Sequence, residues 1–534
     1  MEVSFSGSSF SGQRVLWAEE IVRLDAPTKV RVRAVLIQEV AQGEMLGTNA
    51  SLRFTRSDGA TRLFKGWVTE VNLIASPEAE EGTRGAPTYE FCLVATMGLL
   101  SGSVDCRIFQ EKKTDEIVTE VLGEFGLKPD QLHFELSHEL TARVYSVQYR
   151  ESALHYVSRL LEEDGILYYS EIDESGQEHV YFADDSTQAE KLPEQPVPLR
   201  RASGQVEEGS AVYERTASRS VRAGRLTVTS FDFENPSLSL EASAEAADFA
   251  SLESYRTTEV YTKPERGKRL AQIRLEEEQA RGDQVSFVTD ALETHVGHAF
   301  DLEELDGSTT SYFVTGVTHE YSHDPGTSLS STSQHGYRAI VDGVPLTRSY
   351  RPRRLHARPV IAGPQTAIVV GQPGAESETL DTDKYGRVQV QFHWDRRGSR
   401  TTGSSCWVRV AQLQTSGSVV LPRLDWEVVV EFVDGDPDQP IVTGRLFNGR
   451  FGPPYQLPEG KTRTSLQSAS SPGGGGRNEI RFEDAAGSEE VMVNSQYNTL
   501  VAAANNRKKN ITKNETQTVG NNAQLEGGGA HRQS

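Results

Sequence analysis

A five-residue segment, His319-Glu320-Tyr321-Ser322-His323, has the spacing H-E-x-x-H. In zinc peptidases two histidines at this spacing bind the metal, and the glutamate acts as general base toward a metal-bound water. That chemistry requires both histidines on one turn of a helix, where residues i and i+4 are neighbours. A zinc metallopeptidase is therefore one candidate activity, and it depends on the element that carries the segment.

The residues around the segment predict a strand instead of a helix. The run "SYFVTGVTHEYSH" is rich in β-branched and aromatic residues and is interrupted by Gly316. On an extended strand the Cα atoms of His319 and His323 lie about 13 Å apart, from a rise of about 3.3 Å per residue. One tetrahedral zinc ion cannot bridge that distance. We therefore predict a structural strand end here, with no metal ligand and no catalytic residue.

A second candidate is the acidic run "DGDPDQP", residues 434–440, in which carboxylates alternate as at the start of a calcium loop. An EF-hand loop has glycine at its sixth position and glutamate at its twelfth. Those positions hold Gln439 and Arg445, and Pro437 stiffens the run. The pattern favours a tight turn between two strands over a calcium site.

Charge and composition exclude several classes of function. The 534 residues carry a net charge of −21, whereas general nucleic-acid binding needs clustered lysine and arginine. No apolar run reaches the roughly 18 to 20 residues of a membrane span. The N-terminal stretch lacks a basic segment followed by an apolar one. We therefore expect synthesis in the cytoplasm without a cleaved signal peptide, no integration in a membrane and no nucleic-acid partner.

Periodicity predicts a mainly β protein with minor α content. Strand patterns occupy residues 29–40, 50–55, 61–74 and 88–96. Thr114–Leu127 and the run that ends at Gly165 have helical stripes, and a polar helical piece lies near Arg266–Arg281. In the first of these helices the apolar face is formed by Ile117, Val118, Val121, Leu122 and Phe125.

Four segments follow from these patterns. Residues 1–349 form an N-terminal base with a helical insert, and residues 350–365 form a basic, proline-rich linker. Residues 366–458 hold five short strands, the size and rhythm of an OB-type barrel. Residues 459–534 contain short strands but few large apolar groups, so we expect them to pair with neighbouring subunits and to fray at the end.

These segments contain motifs that resemble a known family. The runs "GPQTAIVVG", "TDKYGRVQVQFHWDRRG", "SSCWVRVAQ", "LPRLDWEVVVEFVDGDPDQPIVTGRLFN" and "SSPGGGGRNEIRFED" are similar to the barrel-to-spike region of VgrG proteins, the valine-glycine-repeat spikes of bacterial type VI secretion. "FKGWVTEVNL" and "YFVTGVTHEY" resemble the base of the same family. The likeness covers about residues 1–520 in the expected order.

The resemblance implies a fold and a set of partners. It implies phage-tail-hub-like β-barrels in the base, an OB-fold neck and an intertwined triple-stranded β-helix spike. It also implies a homotrimer that docks on an Hcp-type tube hexamer, contacts baseplate proteins and carries a PAAR-type tip or an effector. Such a spike punctures membranes mechanically, is then released, and needs neither catalysis nor a cofactor. The homologous hub of a phage or phage-derived injection particle is the alternative.

The family motif assigns structural residues in the barrel, and the chain departs from the family at two places. The motif residues are Tyr385, Gly386, Arg387, Trp407, Pro422, Gly435, Asp436, Pro437, Pro440 and Gly444. Asp425-Trp426 stands where members have a glycine-containing turn, so a different turn is expected at the barrel rim. Little more than one repeat follows the barrel, so we expect a short spike without a fused C-terminal effector.

Overall fold

The computed structural model describes residues 1–74, 87–193, 195–200, 209–257, 259–323, 336–471, 475–524 and 526. Strand exceeds helix by about three to one, 40% against 13%, which confirms the predicted mainly β class. The chain divides into two compact units, Met1–Asn448 and Gly449–Ser534. The described residues contain no helix of the length and apolarity that a membrane span requires.

The helices and strands have the following bounds. The helices are α1 Gln42–Met45, α2 Thr96–Leu99, α3 Thr114–Gly123, α4 Ala153–Asp164 and α5 Pro264–Ala280. The strands before α4 are β1 Glu2–Gly7, β2 Gly12–Arg23, β3 Lys29–Leu36, β4 Asn49–Thr55, β5 Thr61–Ile74, β6 Thr88–Val94, β7 Val104–Lys112, β8 Leu132–Glu135 and β9 Arg143–Ser152. Those between α4 and α5 are β10 Leu167–Ile172, β11 Glu178–Ala183, β12 Val197–Pro198, β13 Val212–Arg219, β14 Arg225–Val228, β15 Ala242–Glu245 and β16 Glu253–Arg256.

The remaining strands complete the base, the barrel and the second unit. They are β17 Asp283–Thr289, β18 Ala299–Glu303, β19 Thr309–Ser322, β20 Tyr337–Pro345, β21 Gln365–Val370, β22 Gln389–Phe392, β23 Arg409–Val410, β24 Glu427–Phe432, β25 Pro440–Leu446, β26 Arg463–Ala469, β27 Arg477–Glu483 and β28 Glu490–Asn494. Most of these strands carry β-branched or aromatic residues at alternate positions, which suits a pleated, half-buried surface.

Two closed β-barrels form the N-terminal base. The first has the order β1-β4-β5-β6-β3-β2, and a bridge between Ser6 and Ser11 joins its two ends. The second runs β13-β17-β20-β19-β18-β12 and is closed by a bridge between Leu199 and Val212. Pairing of β2 with β19 fuses the two barrels, and one hydrophobic core continues through both. This confirms the predicted β-barrel base.

A helical layer stands beside the barrels. In α3 four residues of the predicted stripe, Ile117, Val118, Val121 and Leu122, are fully buried. The fifth, Phe125, is half-buried and lies beyond the helix, which ends at Gly123 instead of the predicted Leu127. In α4 the Ser152 side chain accepts a hydrogen bond from the His155 amide, 3.1 Å. Gly165 ends α4 with a left-handed φ of 72°, the conformation that glycine adopts without strain. The buried stripes position the acidic C-terminal end of α4.

The OB-type barrel contains the five predicted strands. Their order is β22-β21-β24-β25-β23, and a two-way bridge between Val388 and Val408 closes the ring. Val388, Val390 and Phe392 are buried in its core, as their alternation predicts. Trp394 is half-buried and stacks on Phe392 with ring centroids 5.1 Å apart.

The second unit contains one three-stranded antiparallel sheet, in the order β26-β27-β28. Residues 495–524 form no strand within the described chain. The glycine run from Pro472 to Gly474 and most of the expected frayed C-terminus (525 and 527–534) lie outside the described residues.

Candidate functional site

His319–Ser322 lie on a strand, as the sequence predicts, and His323 directly follows the end of that strand. In β19, His319 pairs with Glu20 of β2 and with Ala339 of β20. Its ring is fully buried, its Nδ1 lies 2.7 Å from the Tyr337 hydroxyl, and burial lowers the pKa of His319 well below its usual value. The Glu320 carboxylate accepts from Arg338 at 2.6 Å, and His323 is exposed. The arrangement lacks the helix that a zinc peptidase requires.

The C-terminal sheet has one apolar face that nothing in the described chain covers. Leu466, Ile480 and Val493 lie side by side on its three strands, and Thr464, Phe482 and Val491 form the next row. The five apolar side chains of these rows are between 43% and 68% exposed. Small contiguous sheets are stable only when such a face is packed against a partner.

The opposite face of the same sheet is polar and is covered by its own chain. The Tyr455 hydroxyl contacts Glu479, whose carboxylate is buried and also accepts from Arg477 at 3.1 Å. The Arg463 guanidinium lies 5.1 Å from the Tyr455 ring centroid. Because the polar face already has its partners, the apolar face is the surface available to a second chain.

Within the first unit, the end of α4 forms an acidic centre, which we define as Glu162, Glu163 and Asp164. All three side chains are buried. Acidic residues at a helix C-terminus oppose the helix dipole, so they need cationic partners. Arg274 donates to the main-chain carbonyls of Glu162 and Glu163, at 2.9 and 2.7 Å, and satisfies the end of the helix.

The predicted linker between base and barrel is fastened to this acidic centre and to α5. We call residues 350–365 the strap. Arg351 contacts Glu276 at 2.6 Å, and Arg354 contacts Glu259 at 2.6 Å. The His356 ring lies 2.7 Å from Glu162. A loose linker would leave these groups in water, whereas the strap holds most of them half-buried.

Arg358 joins three parts of the unit at once. Its guanidinium contacts Glu163 of the acidic centre at 2.7 Å and Asp436 of the barrel at 2.6 Å. Burial alone would raise the pKa of Glu163, but Arg358 and Arg143 hold that pKa well below its usual value. The Glu163 carboxylate beside it likewise raises the pKa of Arg358. A buried pair of this kind is strongly destabilised when one partner is removed.

The run "DGDPDQP" is a turn between β24 and β25, as predicted, and it also contacts the base. Asp438 accepts from the Val147 amide of β9 at 2.7 Å, and burial together with neighbouring Asp436 raises the pKa of Asp438 to about 7. Gly435 has a left-handed φ of 74°, and its carbonyl accepts from the Ile361 amide of the strap at 2.8 Å. A Cβ on Gly435 would lie 2.6 Å from Val360.

A second motif cluster, Tyr385-Gly386-Arg387, contacts the base at another point. Arg387 pairs with Asp383 at 2.7 Å and with Glu234 at 3.5 Å. Its guanidinium lies over the Phe233 ring, 5.2 Å from the centroid, and Tyr385 meets the same ring edge-on. Gly386 supplies the left-handed φ of 72° that this tight turn uses.

The other motif residues are distributed through the barrel. Pro422, Pro437 and Pro440 are buried, Trp407 is half-buried, and Gly444 lies exposed in β25. The motif therefore does not converge on one site. Two of its clusters face the base and the strap, and the rest shape the barrel.

The unusual turn at the barrel rim has a specific backbone cause. Asp425 adopts a left-handed φ of 70° where glycine was expected. Its amide donates to the Val369 carbonyl at 2.9 Å, and the Trp426 amide donates to the Arg423 carbonyl at 3.1 Å. Aspartate tolerates this conformation better than most residues.

Sequence reasoning missed two groups. One is the acidic centre, whose signal is three consecutive acids at a predicted helix end upstream of an arginine-rich linker. The other contains Glu171, His295 and His298, whose ligand atoms lie within 4.8 Å of one another and which could hold a metal ion. Its sequence signal is the H-x-x-H spacing of the two histidines.

Three family models match the base, the barrel and the C-terminal segment. Residues 23–325, more than half of the chain, match the phage tail baseplate hub family, and residues 372–447 match the type VI secretion system/phage-baseplate injector OB domain. Residues 464–534 match the bacteriophage T4 gp5 C-terminal trimerisation domain. The type VI secretion system spike protein VgrG1a of Pseudomonas aeruginosa is 31% identical over 85% of this chain and 71% of its own length. The chain belongs to the VgrG family.

Other relatives agree with this membership. The spike protein VgrG1b of Pseudomonas aeruginosa is 32% identical over 89% of this chain. The chain spans 64% of the length of VgrG1b. A solved structure of the E. coli c3393 protein, described as a type VI secretion component similar to T4 gp27 and gp5, covers 84% of this chain and 100% of its own, with a TM-score of 0.60 and 22% identity. That likeness shows the fold alone.

Proposed function

We propose that this VgrG-family chain is the homotrimeric, membrane-puncturing spike of a contractile type VI secretion apparatus. In this proposal residues 1–349 are the base, 350–365 the strap, 366–458 the OB neck and 459–534 the spike. The observation that supports it most is the uncovered apolar face of Leu466, Ile480, Phe482, Val491 and Val493. The match of residues 464–534 to a trimerisation domain supports three chains as the partners that cover it.

We assign the two ends of the chain to different partners. The base, which has the fold of a tail hub, docks on an Hcp-type tube hexamer and on baseplate proteins. The C-terminal end carries a PAAR-type tip protein or an effector. Puncture is mechanical in this proposal: His319, Glu320 and His323 take no catalytic part, and no cofactor is needed. The extended conformation of His319 and Glu320 in β19, with His323 just beyond the strand end, supports that assignment.

The motif residues receive a structural role. We assign Arg387, Gly435 and Asp436 to the fastening of the neck on the base, because each contacts the base or the strap. Through these contacts the neck transmits a mechanical force on the spike to the base. The other motif residues maintain the barrel itself.

The oligomeric state tests the proposal directly. Light scattering on the purified full chain is expected to give about three times the chain mass of 58.9 kDa. A monomer at micromolar concentration would contradict it. Affinity purification from the source cell, followed by mass spectrometry, is expected to recover tube, baseplate and tip proteins. Their absence under conditions that assemble the apparatus would remove the assignment of partners.

Export is tested by the mass of the released protein. We propose that the chain is made in the cytoplasm, assembles on the baseplate and leaves with the spike by contraction. The protein in the culture medium should therefore keep an unprocessed N-terminus, and its release should stop when the sheath gene is deleted. A shortened N-terminus, or release without the sheath, would oppose this route.

The hub of a phage or phage-derived injection particle is the second candidate. The match of residues 23–325 to a phage tail baseplate hub favours it. The genes around this one distinguish the two assignments. Tube, sheath and immunity genes indicate a secretion system, whereas capsid genes indicate a particle.

A further inference from the structure

Two histidines and a glutamate converge where the helical layer meets the second barrel of the base. Glu171 lies on β10, and His295 and His298 lie in the connection between β17 and β18. The Nδ1 atoms of His295 and His298 are 3.5 and 3.6 Å from the same Glu171 oxygen, Oε1. The same two nitrogen atoms are 3.0 and 3.1 Å from the main-chain carbonyl of Val296.

A short turn brings the two histidines together. Gly297 between them adopts a left-handed φ of 82°, and a Cβ at this position would lie 2.3 Å from the Tyr169 ring. The Gly297 amide donates to the Val314 carbonyl at 3.0 Å, and the Val314 amide donates to the His298 carbonyl at 2.9 Å. The turn is thus fixed to β19, and its imidazoles are pre-oriented toward β10.

The spacing of the four atoms matches a tetrahedral coordination sphere. With metal–ligand bonds of about 2.0 to 2.1 Å, the ligand atoms of a tetrahedral site lie about 3.4 Å apart. Four of the six edges of this group measure 3.0 to 3.6 Å. Two imidazole nitrogens with one carboxylate oxygen are a donor set that suits zinc and the late first-row divalent metals.

The surroundings permit a divalent cation. The three side chains are between 16% and 31% exposed, so an ion can enter from solvent. Arg62 is a nearby cation whose charge acts on both His295 and Glu171. Arg62 forms a two-pronged pair with Glu20, at 2.7 and 2.9 Å, which neutralises it.

From this geometry we propose that Glu171, His295 and His298, with the Val296 carbonyl, form a structural zinc site. The ion ties β10 of the helical layer to the β17–β18 connection of the second barrel. It thereby cross-links two layers that otherwise meet through side-chain packing. The site does not use the His319–His323 segment, whose extended geometry cannot chelate one ion, although His319 lies near enough to His295 for the two imidazoles to interact electrostatically.

Without a metal, the distances of 3.0 and 3.1 Å are those of hydrogen bonds, in which the Nδ1–H groups of His295 and His298 both donate to the Val296 carbonyl. The two descriptions make different predictions. Hydrogen bonds alone give no stoichiometric zinc, whereas a site gives one zinc ion per chain at an affinity that depends on both histidines.

The test uses the full-length protein, stripped with EDTA, dialysed and titrated with zinc chloride in a calorimeter. We expect one zinc ion per chain and an affinity lowered at least about 100-fold in His295→Ala and in His298→Ala, since even outer-shell changes cost 10- to 100-fold. Cobalt is expected to give the visible absorption of a tetrahedral ion. His323→Ala is the matched control, an exposed histidine at the end of β19 that should bind zinc like the parent protein.

Two further measurements separate lost ligands from lost folding. Glu171→Gln keeps the shape of the side chain and removes its charge, so it should weaken zinc binding and change the cobalt spectrum while circular dichroism stays the same. Light scattering after EDTA treatment should still give the trimer mass, since trimer formation does not depend on the ion. Absence of stoichiometric zinc, or equal binding in the parent and both histidine variants, would overturn the site. Loss of zinc in His323→Ala would move it to the His319–His323 segment.

Discussion

The most discriminating perturbation is a charge on the uncovered face of the C-terminal sheet. Ile480 is the central residue of its row, between Leu466 and Val493, and it is 43% exposed in the single chain. We predict that Ile480→Glu dissociates the trimer at concentrations where the parent protein is fully assembled.

The size of the effect follows from burial and ionisation. Full burial of an isoleucine contributes about 1.5 to 3 kcal/mol, so the fraction still exposed in the chain accounts for about 1 kcal/mol. A glutamate in a dry interface becomes neutral, and protonation at pH 7 from a pKa of about 4.3 costs about 3.7 kcal/mol. Allowing for partial access of water, the change costs about 4 kcal/mol per chain, or about 12 kcal/mol in a trimer.

That cost changes the concentration at which the trimer forms. About 12 kcal/mol lowers the association constant by about nine powers of ten. In a monomer–trimer equilibrium the midpoint concentration varies as the inverse square root of the association constant, so it rises by about four powers of ten. Light scattering over a dilution series from micromolar to nanomolar measures this shift.

Ser465→Glu is the matched control. Residue 465 is adjacent to Leu466 on β26, belongs to the opposite face and lies across from Arg481, so the same charge should leave the trimer intact. If Ile480→Glu and Ser465→Glu assemble equally well, the apolar face is not the trimer interface. A Val493→Glu variant should behave like Ile480→Glu, because the two side chains are neighbours across the β27–β28 pair.

Three further predictions concern the first unit, each measured by calorimetric unfolding. Arg358→Ala should lower the unfolding free energy by about 3 kcal/mol because it removes one guanidinium partner of buried Glu163 and breaks the buried pair with Asp436. Arg396→Ala, which removes a pair that is 72% exposed on the arginine side, should change it by less than about 1 kcal/mol, and equal effects would contradict the strap's role. Asp425→Gly should be more stable than Asp425→Val by about 1 to 2 kcal/mol, since only the valine opposes a φ of 70°, and the reverse order would exclude backbone strain. The pKa of Glu163 is depressed below its usual 4.5, so ionised Glu163 stabilises the fold above that pH, and this stabilisation is lost as the pH falls through the lower folded pKa. On acidification the unfolding free energy should therefore fall more steeply in the parent protein than in Arg358→Ala, and equal slopes would refute the assignment.

Local patterns predicted the elements well, because strand alternation and helical stripes are encoded by neighbouring residues. The buried stripe of α3, its counterpart in α4 and the alternation of Val388, Val390 and Phe392 are examples, and the extended conformation of His319 followed from its β-branched neighbours. Closure of the barrels could not be predicted in the same way, since a bridge such as Leu199–Val212 depends on pairing at a distance.

The candidate site was less predictable than the fold. A basic, proline-rich stretch is typical of a linker, and only the folded chain brings Arg354 and Arg358 onto acids that are 95 and 195 residues away. The acidic centre itself was treated as a helix end, because its partners come from other segments. The turn at Asp425 was expected to differ from the family, but its left-handed φ follows from pairing with Val369 on another strand.

The strap has a consequence for the order in which the chain can assemble during synthesis. Its acidic partners on α4, on α5 and at Glu259 precede it in the sequence, so they leave the ribosome and fold before the strap emerges. The neck can then dock on a completed base, because Asp436 needs Arg358 already in place. The sheet with the uncovered apolar face comes last. Its apolar surface is therefore exposed for the shortest time during synthesis, because the base of the same chain has already folded when this sheet emerges.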